Sequence, residues 1–526
     1  MTQQSLTVDE AISKARKLVK AGDLATAEKL YQQILARSPQ NKKIRNALKS
    51  IQSKSTSAQP NSELQAEMTT LMQWFTGERF DQAKTQAKHL TQRYPNQPVP
   101  FNILGVIEAG RNNNETAVAH YKDALAIEPG YIDAICNLGT ALQKLGRYAE
   151  AEHNFLKAIK LSPKDPEIIF NLANVLQDAR KLEEATRCYE KSIEIRPLYA
   201  PAHFQLGNSL RLLGKSNKAI ASYRNTIDID KNLVEAYINL GEVLQSRQLH
   251  EIAISWFRDA IELRPNRARA HRDLARSLLA TGNRSDAIES FNTCLELDPG
   301  SGEARHLLSA ARHLTPDTAP RDYVSDLFDT YAPSFEKHLK EGLGYQAPAL
   351  LKQLVVDSGI LEGKFEHAVD LGCGTGLAGE EFNGICKTLW GVDISEKMLE
   401  QAKEKTVYDQ LFSGDITSIL PRLNTVFDLF ICSDTLVYVG KLEPFFATVA
   451  AYSTQGSLLT LSTELNTTKD LELLPTGRYA HSKDYVTRSA TSAGFALIDY
   501  QEHKLRKEAD SWLDGGYYLF HYKGAL

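Results

Sequence analysis

Long apolar runs are missing from this sequence. No stretch is long enough to cross a bilayer, and the N-terminal segment lacks the apolar core of a secretory signal. Cysteine is scarce as well, with six residues that form no CxxC pair and have no histidine cluster nearby. This pattern excludes a disulfide framework and a zinc site and is typical of a reducing compartment. We expect no membrane segment, no metal and a cytoplasmic location.

A strong excess of one charge is also missing. Lys and Arg number 61 and Asp and Glu number 65, so the formal net charge is -4. Nucleic-acid binding depends on clustered positive charge, and we therefore expect no nucleic-acid partner. At 526 residues the chain is too long for one hydrophobic core, so the sequence predicts two or more domains.

The N-terminal half is repetitive. Prolines recur at a spacing of 34 residues or twice that: Pro95, Pro129, Pro163, Pro197, Pro265 and Pro299. Two further features keep the same register, a Leu-Gly or Leu-Ala pair and an alanine followed four residues later by Tyr or Phe. This predicts pairs of helices, with small residues where they approach, an aromatic between them and the proline ending the second helix. One pair cannot bury its apolar face alone, so neighbours must stack. The pattern resembles the tetratricopeptide repeat over about residues 64–300, with a looser copy at 8–41.

The residue before the Leu-Gly or Leu-Ala pair is polar in most repeats, although Ile103 breaks the row. In tetratricopeptide repeats this helix lines the concave surface. The row resembles the asparagine ladder in the repeats of O-linked N-acetylglucosamine transferase, which grips peptide main chain through amides that both donate and accept. The alternative is a set of solvated polar positions. The resemblance implies a protein or peptide partner, with the candidate peptide-binding residues Asn137, Asn171, Gln205, Asn239 and Asp273.

After residue 316 apolar runs alternate with helical stretches, which predicts a parallel α/β sheet. A first strand at 367–370 leads into Asp370-Leu-Gly-Cys-Gly-Thr-Gly376 and then a helix. Three close glycines let a ligand approach exposed backbone amides. A dinucleotide would also suit a glycine-rich turn, but the spacing is GxGxG rather than GxGxxG, and an acidic residue opens the motif.

Two more predicted strands end in carboxylates. The strand at 388–392 ends in Asp393, which suits a ribose diol because a carboxylate accepts two hydrogen bonds from adjacent hydroxyls. The strand at 408–415 ends in Asp415, which can accept from an adenine amino group, while Ile394 and Ile416 can enclose the ring. Fourth and fifth strands are predicted at 427–432 and 456–461.

In this order the motifs resemble the class I S-adenosylmethionine-dependent methyltransferases over roughly residues 320–526. Residues 323–333, 343–348 and 477–482 further resemble bacterial methyltransferases known only as containing tetratricopeptide repeats. The resemblance implies S-adenosylmethionine as the cofactor and a set of cofactor-binding residues: Asp370, Gly372, Gly374, Gly376, Asp393, Ile394, Asp415 and Ile416.

The catalytic residue stays unknown from the sequence, because the methyl donor is already activated and the enzyme need only orient the reactants and exclude water. A general base matters only for a protonated nucleophile. Polar candidates near the expected strand ends are Asp434, Tyr438, Arg478, Tyr479 and His481. For His481 the alternative is a structural hydrogen bond. No Asn-Pro-Pro-Tyr-like motif follows the fourth strand, which argues against nucleobase or glutamine amide acceptors.

The expected architecture is multidomain: an all-α tetratricopeptide-repeat solenoid, then an α/β Rossmann-like class I methyltransferase domain with a mostly parallel seven-stranded sheet. The predicted segments are a divergent helical repeat at 1–50, a flexible linker at 51–63, the solenoid with its capping helix at 64–316, and the methyltransferase domain at 317–526. A last antiparallel strand is expected at 517–522, after a turn at 514–516.

The expected function is methyl transfer to a protein or peptide acceptor recruited by the repeats. One alternative is a small-molecule methyltransferase whose repeats only dock it to a partner protein. The other is a repeat adaptor without enzymatic activity.

Overall fold

The computed structural model describes residues 8–21, 23–37, 41–332, 335–337, 339, 344–360, 362–508 and 511–524. The chain divides into two compact units between Lys215 and Ser216. None of the helices in the described ranges combines the length and the apolar character that a membrane span requires.

The first unit is helical throughout its described residues. Its helices follow one another as α1 (Val8–Lys20), α2 (Leu24–Arg37), α3 (Lys42–Thr76), α4 (Phe80–Arg93), α5 (Pro98–Gly110), α6 (Asn114–Ile127), α7 (Ile132–Lys144), α8 (Tyr148–Leu161), α9 (Pro166–Asp178), α10 (Leu182–Ile195) and α11 (Ala200–Leu212).

The two helices of a repeat in this unit pack as predicted, with a small residue of one helix against an aromatic residue of the other. In the α7–α8 pair a Cβ atom at Gly139 would lie 2.7 Å from the ring of Phe155, so only glycine lets the ring pack there. Phe155 and Ala151 are fully buried. The predicted repeat of two helices per 34 residues is confirmed.

The stretch predicted as a linker at 51–63 differs in the structure, where it lies inside the single helix α3. The helix begins at Asn41, whose side chain accepts a hydrogen bond of 3.3 Å from the Ile44 nitrogen. A polar, serine-rich composition indicates that a segment has no hydrophobic core of its own. It does not exclude an α-helix, because Lys, Gln and Ala in the segment favour helix.

The second unit begins with further helices of the same kind: α12 (Ser216–Ile229), α13 (Val234–Ser246), α14 (His250–Leu263), α15 (Ala268–Ala280), α16 (Arg284–Leu297) and α17 (Gly302–Ala311). The helix predicted to cap the array corresponds to α17. The division into compact units therefore falls about three repeats before the boundary predicted at residue 317, and the last repeats belong with the sheet.

The described residues of the second unit form a sheet of nine strands: β1 (Phe365–Leu371), β2 (Cys386–Asp393), β3 (Gln410–Ser413), β4 (Phe427–Cys432), β5 (Ser453–Leu465), β6 (Leu471–Leu473), β7 (Tyr479–His481), β8 (Phe495–Glu508) and β9 (Ser511–Tyr522). Around it lie α18 (Arg321–Tyr331), α19 (Phe335–Lys337), α20 (Ala347–Asp357), α21 (Leu377–Phe382), α22 (Glu396–Glu404), α23 (Ile416–Ile419), α24 (Glu443–Ala451) and α25 (Lys483–Ser492). Short 3-10 turns occupy Asn383–Ile385, Leu420–Arg422 and Leu436–Tyr438.

The strand order is β3-β2-β1-β4-β5-β7-β6, and β9 pairs antiparallel with both β5 and β8. Neighbours from β3 to β5 are parallel. The sheet is thus mostly parallel with a late antiparallel strand, as predicted. The two strands beyond the predicted seven are β6 and β7, three residues each.

The turn predicted at 514–516 is wrong, because these residues lie within β9. A Cβ atom at Gly515 would lie 2.9 Å from the Leu505 side chain, and one at Gly516 would lie 2.7 Å from the Tyr518 hydroxyl. The glycines therefore make room for neighbouring side chains rather than for a change of chain direction.

Candidate functional site

The glycine-rich turn lies directly after β1. Gly372, Gly374 and Gly376 all have positive φ angles, of 83°, 53° and 91°. A Cβ atom at Gly372 would overlap the hydroxyl of Thr435, so the turn packs against the residues that follow β4. Gly376 precedes α21 as its N-cap, which leaves the turn at the start of a helix, where backbone amides favour anionic or polar ligand groups.

Asp393 ends β2 and is braced by this turn. Its carboxylate accepts hydrogen bonds of 2.8 Å from the Gly374 nitrogen and 2.8 Å from the Ser395 nitrogen. Burial raises the pKa of Asp393, while the hydrogen bonds from the Ser395 and Gly374 nitrogens lower it. The carboxylate predicted to bind ribose hydroxyls therefore lies next to the glycine-rich turn, with lone pairs left for further donors.

Asp370 lies deeper than a residue in direct contact with a ligand would need to be. Its side chain is fully buried, and one oxygen accepts a hydrogen bond of 2.7 Å from the Tyr408 hydroxyl. The other oxygen has no hydrogen-bond partner among the described residues. Burial raises the pKa of Asp370 to about 7. Asp370 is thus a buried residue near the end of β1 whose carboxylate is bonded to the Tyr408 hydroxyl.

Asp415 follows β3, the neighbour of β2, and is partly exposed. Its carboxylate lies 3.1 Å from Nη2 of Arg321 on α18. Ile394 and Ile416 are also partly exposed, each directly after one of the two predicted carboxylates. The carboxyl ends of β1, β2 and β3 therefore bring together backbone amides, two carboxylates and two apolar side chains, a donor set that fits an adenosine ligand.

Helix α18 also contributes residues that sequence reasoning missed. Besides Arg321, it brings Asp329 to Ser395, whose hydroxyl donates a hydrogen bond of 2.6 Å to the Asp329 carboxylate. The helix precedes the sheet by more than thirty residues, and residues 323–333 were singled out only for their resemblance to bacterial methyltransferases. That resemblance gave no partner for Arg321 or Asp329.

An ion network follows β4. Asp434 accepts two hydrogen bonds of 2.7 Å from Nη1 of Arg506, whose Nη2 donates to Glu464 over 2.5 Å. Nε of Arg478 lies 3.5 Å from the same Glu464 oxygen. Tyr438 lies in the turn after Asp434, and burial raises the pKa of its hydroxyl to about 12. Asp434 and Tyr438 thus follow the end of β4, the strand end near which they were predicted, whereas Arg506 and Glu464 were not predicted.

His481 has a different environment. It is fully buried, its Nε2 lies 3.0 Å from the Gly440 carbonyl oxygen, and its ring stacks on Tyr485. Burial lowers its pKa to about 4, so the ring is neutral near pH 7. These contacts give His481 the structural hydrogen bond that was the alternative to a catalytic role.

In the first unit, first helices of neighbouring repeats are joined by polar side chains. Asn137 donates a hydrogen bond of 3.0 Å to Asn102, one position from the Ile103 that breaks the predicted row. Gln205 accepts one of 2.9 Å from Asn208, which lies on the same helix, α11. Asn171 is half-buried, and its amide has no hydrogen-bond partner among the described residues of the chain.

In the second unit the row has another role. Asn239 is buried, and its oxygen accepts a hydrogen bond of 3.0 Å from Arg269. Asp273 is fully buried and pairs with Arg272 over 3.0 Å. The structure therefore does not support Asn239 and Asp273 as peptide-binding residues, because arginines of α15 already bond their side chains.

The last repeat helix packs directly on the sheet domain. Nε2 of His306 on α17 lies 2.9 Å from the Gly477 carbonyl oxygen, and its ring contacts those of Tyr323 and Tyr479 at 5.2 and 5.7 Å between centroids. Ala310 joins the same two tyrosines in one apolar cluster. The loop that carries Arg478 is thus held by a helix of the repeats.

Comparison with known families agrees with this geometry. Residues 369–460 match a family model described as a methyltransferase domain. Models described as tetratricopeptide or TPR repeats match 132–165 and 232–299, as well as 105–146, 154–187, 188–221 and 207–248. The chain is a tetratricopeptide-repeat protein with a class I methyltransferase domain. Membership of this class implies S-adenosylmethionine as the methyl donor, and an adaptor without enzymatic activity is the wrong alternative.

Each of three curated relatives of this methyltransferase matches less than a third of the chain. The ubiquinone biosynthesis O-methyltransferase of Coxiella burnetii is 28% identical over 168 residues, which cover 28% of this chain and 72% of that protein. The 18S rRNA (guanine-N(7))-methyltransferase of Bos taurus is 26% identical over 148 residues, 26% of this chain and 48% of that protein. The peroxisomal targeting signal receptor of Kluyveromyces lactis is 29% identical over 103 residues, 20% of this chain and 18% of that protein.

Among solved structures, the methyltransferase is similar to YrrB, described as a TPR protein with an unusual peptide-binding site. The two share 21% identity with a TM-score of 0.31, covering 35% of this chain and 95% of YrrB. The Cut9–Hcn1 hetero-tetramer of the APC/C matches with 16% identity and a TM-score of 0.38, covering 58% of this chain and 55% of that one.

Proposed function

We propose that the chain transfers a methyl group from S-adenosylmethionine to a protein or peptide acceptor that its repeats recruit. The donor supplies a methyl group already activated by its sulfonium, so the protein's task is to hold and orient. The proposed donor-binding residues are the turn at 370–376 with Asp393, Ile394, Asp415 and Ile416. Their position at the carboxyl ends of β1 to β3 supports this role, because α/β sheets bind ligands at that edge.

The observation that carries the choice of a peptide acceptor is the row of amides in the first unit. Asn137 and Asn102 bond across neighbouring repeats, and the half-buried Asn171 amide has no partner among the described residues. An amide side chain offers one acceptor and two donor hydrogens, which matches the alternating groups of an extended main chain. Asn137, Asn171 and Gln205 therefore remain the proposed peptide-binding residues.

A small-molecule acceptor is the second candidate. It is favoured by the Coxiella burnetii relative, which is an O-methyltransferase of ubiquinone biosynthesis by name. In that case the repeats would bind a partner protein and leave the chemistry unaffected.

The two candidates differ in where the methyl group goes. The full chain would be incubated with tritium-labelled S-adenosylmethionine and an extract of cells that lack this protein, and the products separated by size. Label in acid-precipitable protein supports the proposal. Label confined to small solutes supports the second candidate instead.

The role of the repeats is tested with the double change Asn137→Ala and Asn171→Ala. Each exposed neutral hydrogen bond contributes about 0.5–1.5 kcal/mol, so the rate at low acceptor concentration should fall roughly fivefold to hundredfold in total. The affinity for the donor should stay the same. Asn154→Ala is the matched control, because Asn154 lies on the second helix of its repeat and bonds only within it.

A further inference from the structure

The ion network after β4 is more elaborate than packing requires. The side chain of Arg506 is 5% exposed and that of Glu464 is 4% exposed, so two charges have been taken out of water at a large desolvation cost. Apolar side chains of similar size would give comparable or better stability in such a place. The network therefore calls for a role other than holding the fold together.

Asp434 is more exposed to solvent than Arg506 and Glu464, the two buried members of the network. Its side chain is 18% exposed, against 5% for Arg506. Both of its oxygens accept a hydrogen bond of 2.7 Å from the same Arg506 nitrogen. Each carboxylate oxygen has a second lone pair, so Asp434 can still accept a hydrogen bond from an incoming group.

The backbone around Asp434 is fixed as firmly as its side chain. Its φ angle is 54°, a left-handed conformation that costs free energy for a residue with a side chain. The surroundings enforce this conformation, since the Asp434 nitrogen donates a hydrogen bond of 2.9 Å to the Ser462 hydroxyl. A strained backbone conformation of this kind is kept only where surrounding contacts hold it in place, and such conformations are concentrated at functional sites.

Asp434 lies next to the proposed donor-binding turn. The next residue, Thr435, donates a hydrogen bond of 3.0 Å to the Leu371 carbonyl oxygen, at the first residue of the glycine-rich turn after Asp370. Asp434 therefore lies beside the turn, at the carboxyl end of β4, while the proposed adenosine-binding carboxylates follow β2 and β3.

We infer that Arg506 is a positioning residue, which together with Glu464 fixes the Asp434 carboxylate so that it faces the methyl acceptor. The inference rests on the proposed function. Asp434 accepts a hydrogen bond from the N–H or O–H group of the acceptor. On methylation a bond forms between the acceptor nitrogen or oxygen and the methyl carbon, while the methyl–sulfur bond of the donor breaks and its electron pair stays on the sulfur. The proton that the acceptor loses passes to the Asp434 carboxylate, which becomes neutral and then releases it to water.

The test is a mutant cycle in the full chain. Initial rates of label transfer from tritiated S-adenosylmethionine would be compared for the natural protein, D434N, R506K and the double variant. D434N should lower the rate by about 100-fold or more, the usual contribution of a proton acceptor. R506K should lower it roughly tenfold to hundredfold through misplacement. Because Arg506 acts through Asp434, the double variant should be no slower than D434N.

Structural damage is separated from positioning by two further measurements. Donor affinity by calorimetry should change little in D434N, which keeps the shape of the side chain. Its melting temperature should fall, because the buried Arg506 loses one of its two ionic partners, so all rates are measured well below the melting temperature of the least stable variant. Lys504→Met is the matched control, since Lys504 lies on the same strand and pairs with the exposed Asp514 over 2.6 Å. If R506K does not fold, E464Q takes its place in the cycle, because Glu464 contacts Arg506 through the other guanidinium nitrogen.

The inference would be overturned if D434N transferred label at the rate of the natural protein. It would also be overturned if the rate of the double variant fell by the product of the two single losses. Failure of the proposed function looks different, because the label then enters small solutes and not protein. The same four rates measured on that fraction still decide whether Arg506 positions Asp434.

Discussion

The Asp393 carboxylate accepts a hydrogen bond of 2.8 Å from the backbone nitrogen of Gly374, which ties the end of β2 to the glycine-rich turn after β1. Asp393→Ala should weaken binding of S-adenosylmethionine, because the proposed ribose acceptor and the brace of the turn are lost together. Losing a hydrogen bond to a charged group costs about 1.5–3 kcal/mol, roughly a tenfold to hundredfold rise in the dissociation constant. Titration calorimetry on the folded variant measures it.

Asp428 offers a control at the opposite edge of the sheet. Like Asp393, it accepts hydrogen bonds from two backbone nitrogens, those of Glu366 and His367, over 2.7 and 3.0 Å. Asp428→Ala removes a similar brace at the amino end of β1. The variant should bind the donor as the natural protein does. Equal affinity in both variants would mean that the donor site lies elsewhere.

Gly372 is the glycine of the turn that tolerates substitution least. Its φ angle is 83°, and a Cβ atom would overlap the Thr435 hydroxyl. Gly372→Ala should therefore lose about 1–2 kcal/mol from backbone strain and about 1–3 kcal/mol from overpacking, measured as a lower free energy of unfolding in urea. Gly359→Ala shares the positive φ, of 67°, but has open space around it, and should show the strain alone. Similar losses in both variants would contradict the close approach of Thr435.

Asp370 should make stability depend on pH. Its pKa is raised by burial to about 7 in the folded chain, against about 3.9 when unfolded. Between these values the folded state holds a proton that the unfolded state has lost, so the free energy of unfolding falls as pH rises, by up to about 1.4 kcal/mol per pH unit. Asp370→Asn keeps an acceptor for the Tyr408 hydroxyl but cannot titrate.

The measurement is urea unfolding of both proteins at pH 5, 6, 7 and 8. The variant should gain stability relative to the natural protein from pH 5 to about 7, and the difference should then level off. A difference that is constant over the whole series would show that Asp370 is ionised throughout.

The elements that sequence reasoning predicted are those governed by local patterns. The fourth strand was predicted at 427–432, and β4 has exactly these limits, because a short apolar run there is buried on both faces. The helix pairs followed from small and aromatic residues in register, such as Gly139 and Phe155, which must meet for the two helices to pack.

What escaped prediction depends on contacts between distant parts of the chain. Arg506 reaches Asp434 only because β8 is paired with β9 and β9 with β5, with a register shift between Lys504 and Arg506. Asp273 looked like one more member of a polar row, since a repeat pattern cannot show that arginines of its own helix enclose it. The spacing of a motif predicts where a side chain lies along its helix or strand. Which residue it contacts depends on the tertiary packing.

The last prediction concerns where the catalytic unit begins. All donor-binding motifs follow residue 365, so fragments 216–526 and 317–526 should both bind S-adenosylmethionine once folded. They should differ in stability, because only the longer fragment contains α17, which covers Tyr323 and Tyr479 and bonds the Gly477 carbonyl through His306. Exposing a large buried side chain costs about 1.5–3 kcal/mol, so fragment 317–526 should unfold at a clearly lower urea concentration. His306→Ala in the full chain removes only the hydrogen bond and the ring contacts and should cost less than the truncation. If the two fragments unfold at the same urea concentration, the last repeat is a separate module, and the loop that carries Arg478 does not depend on it.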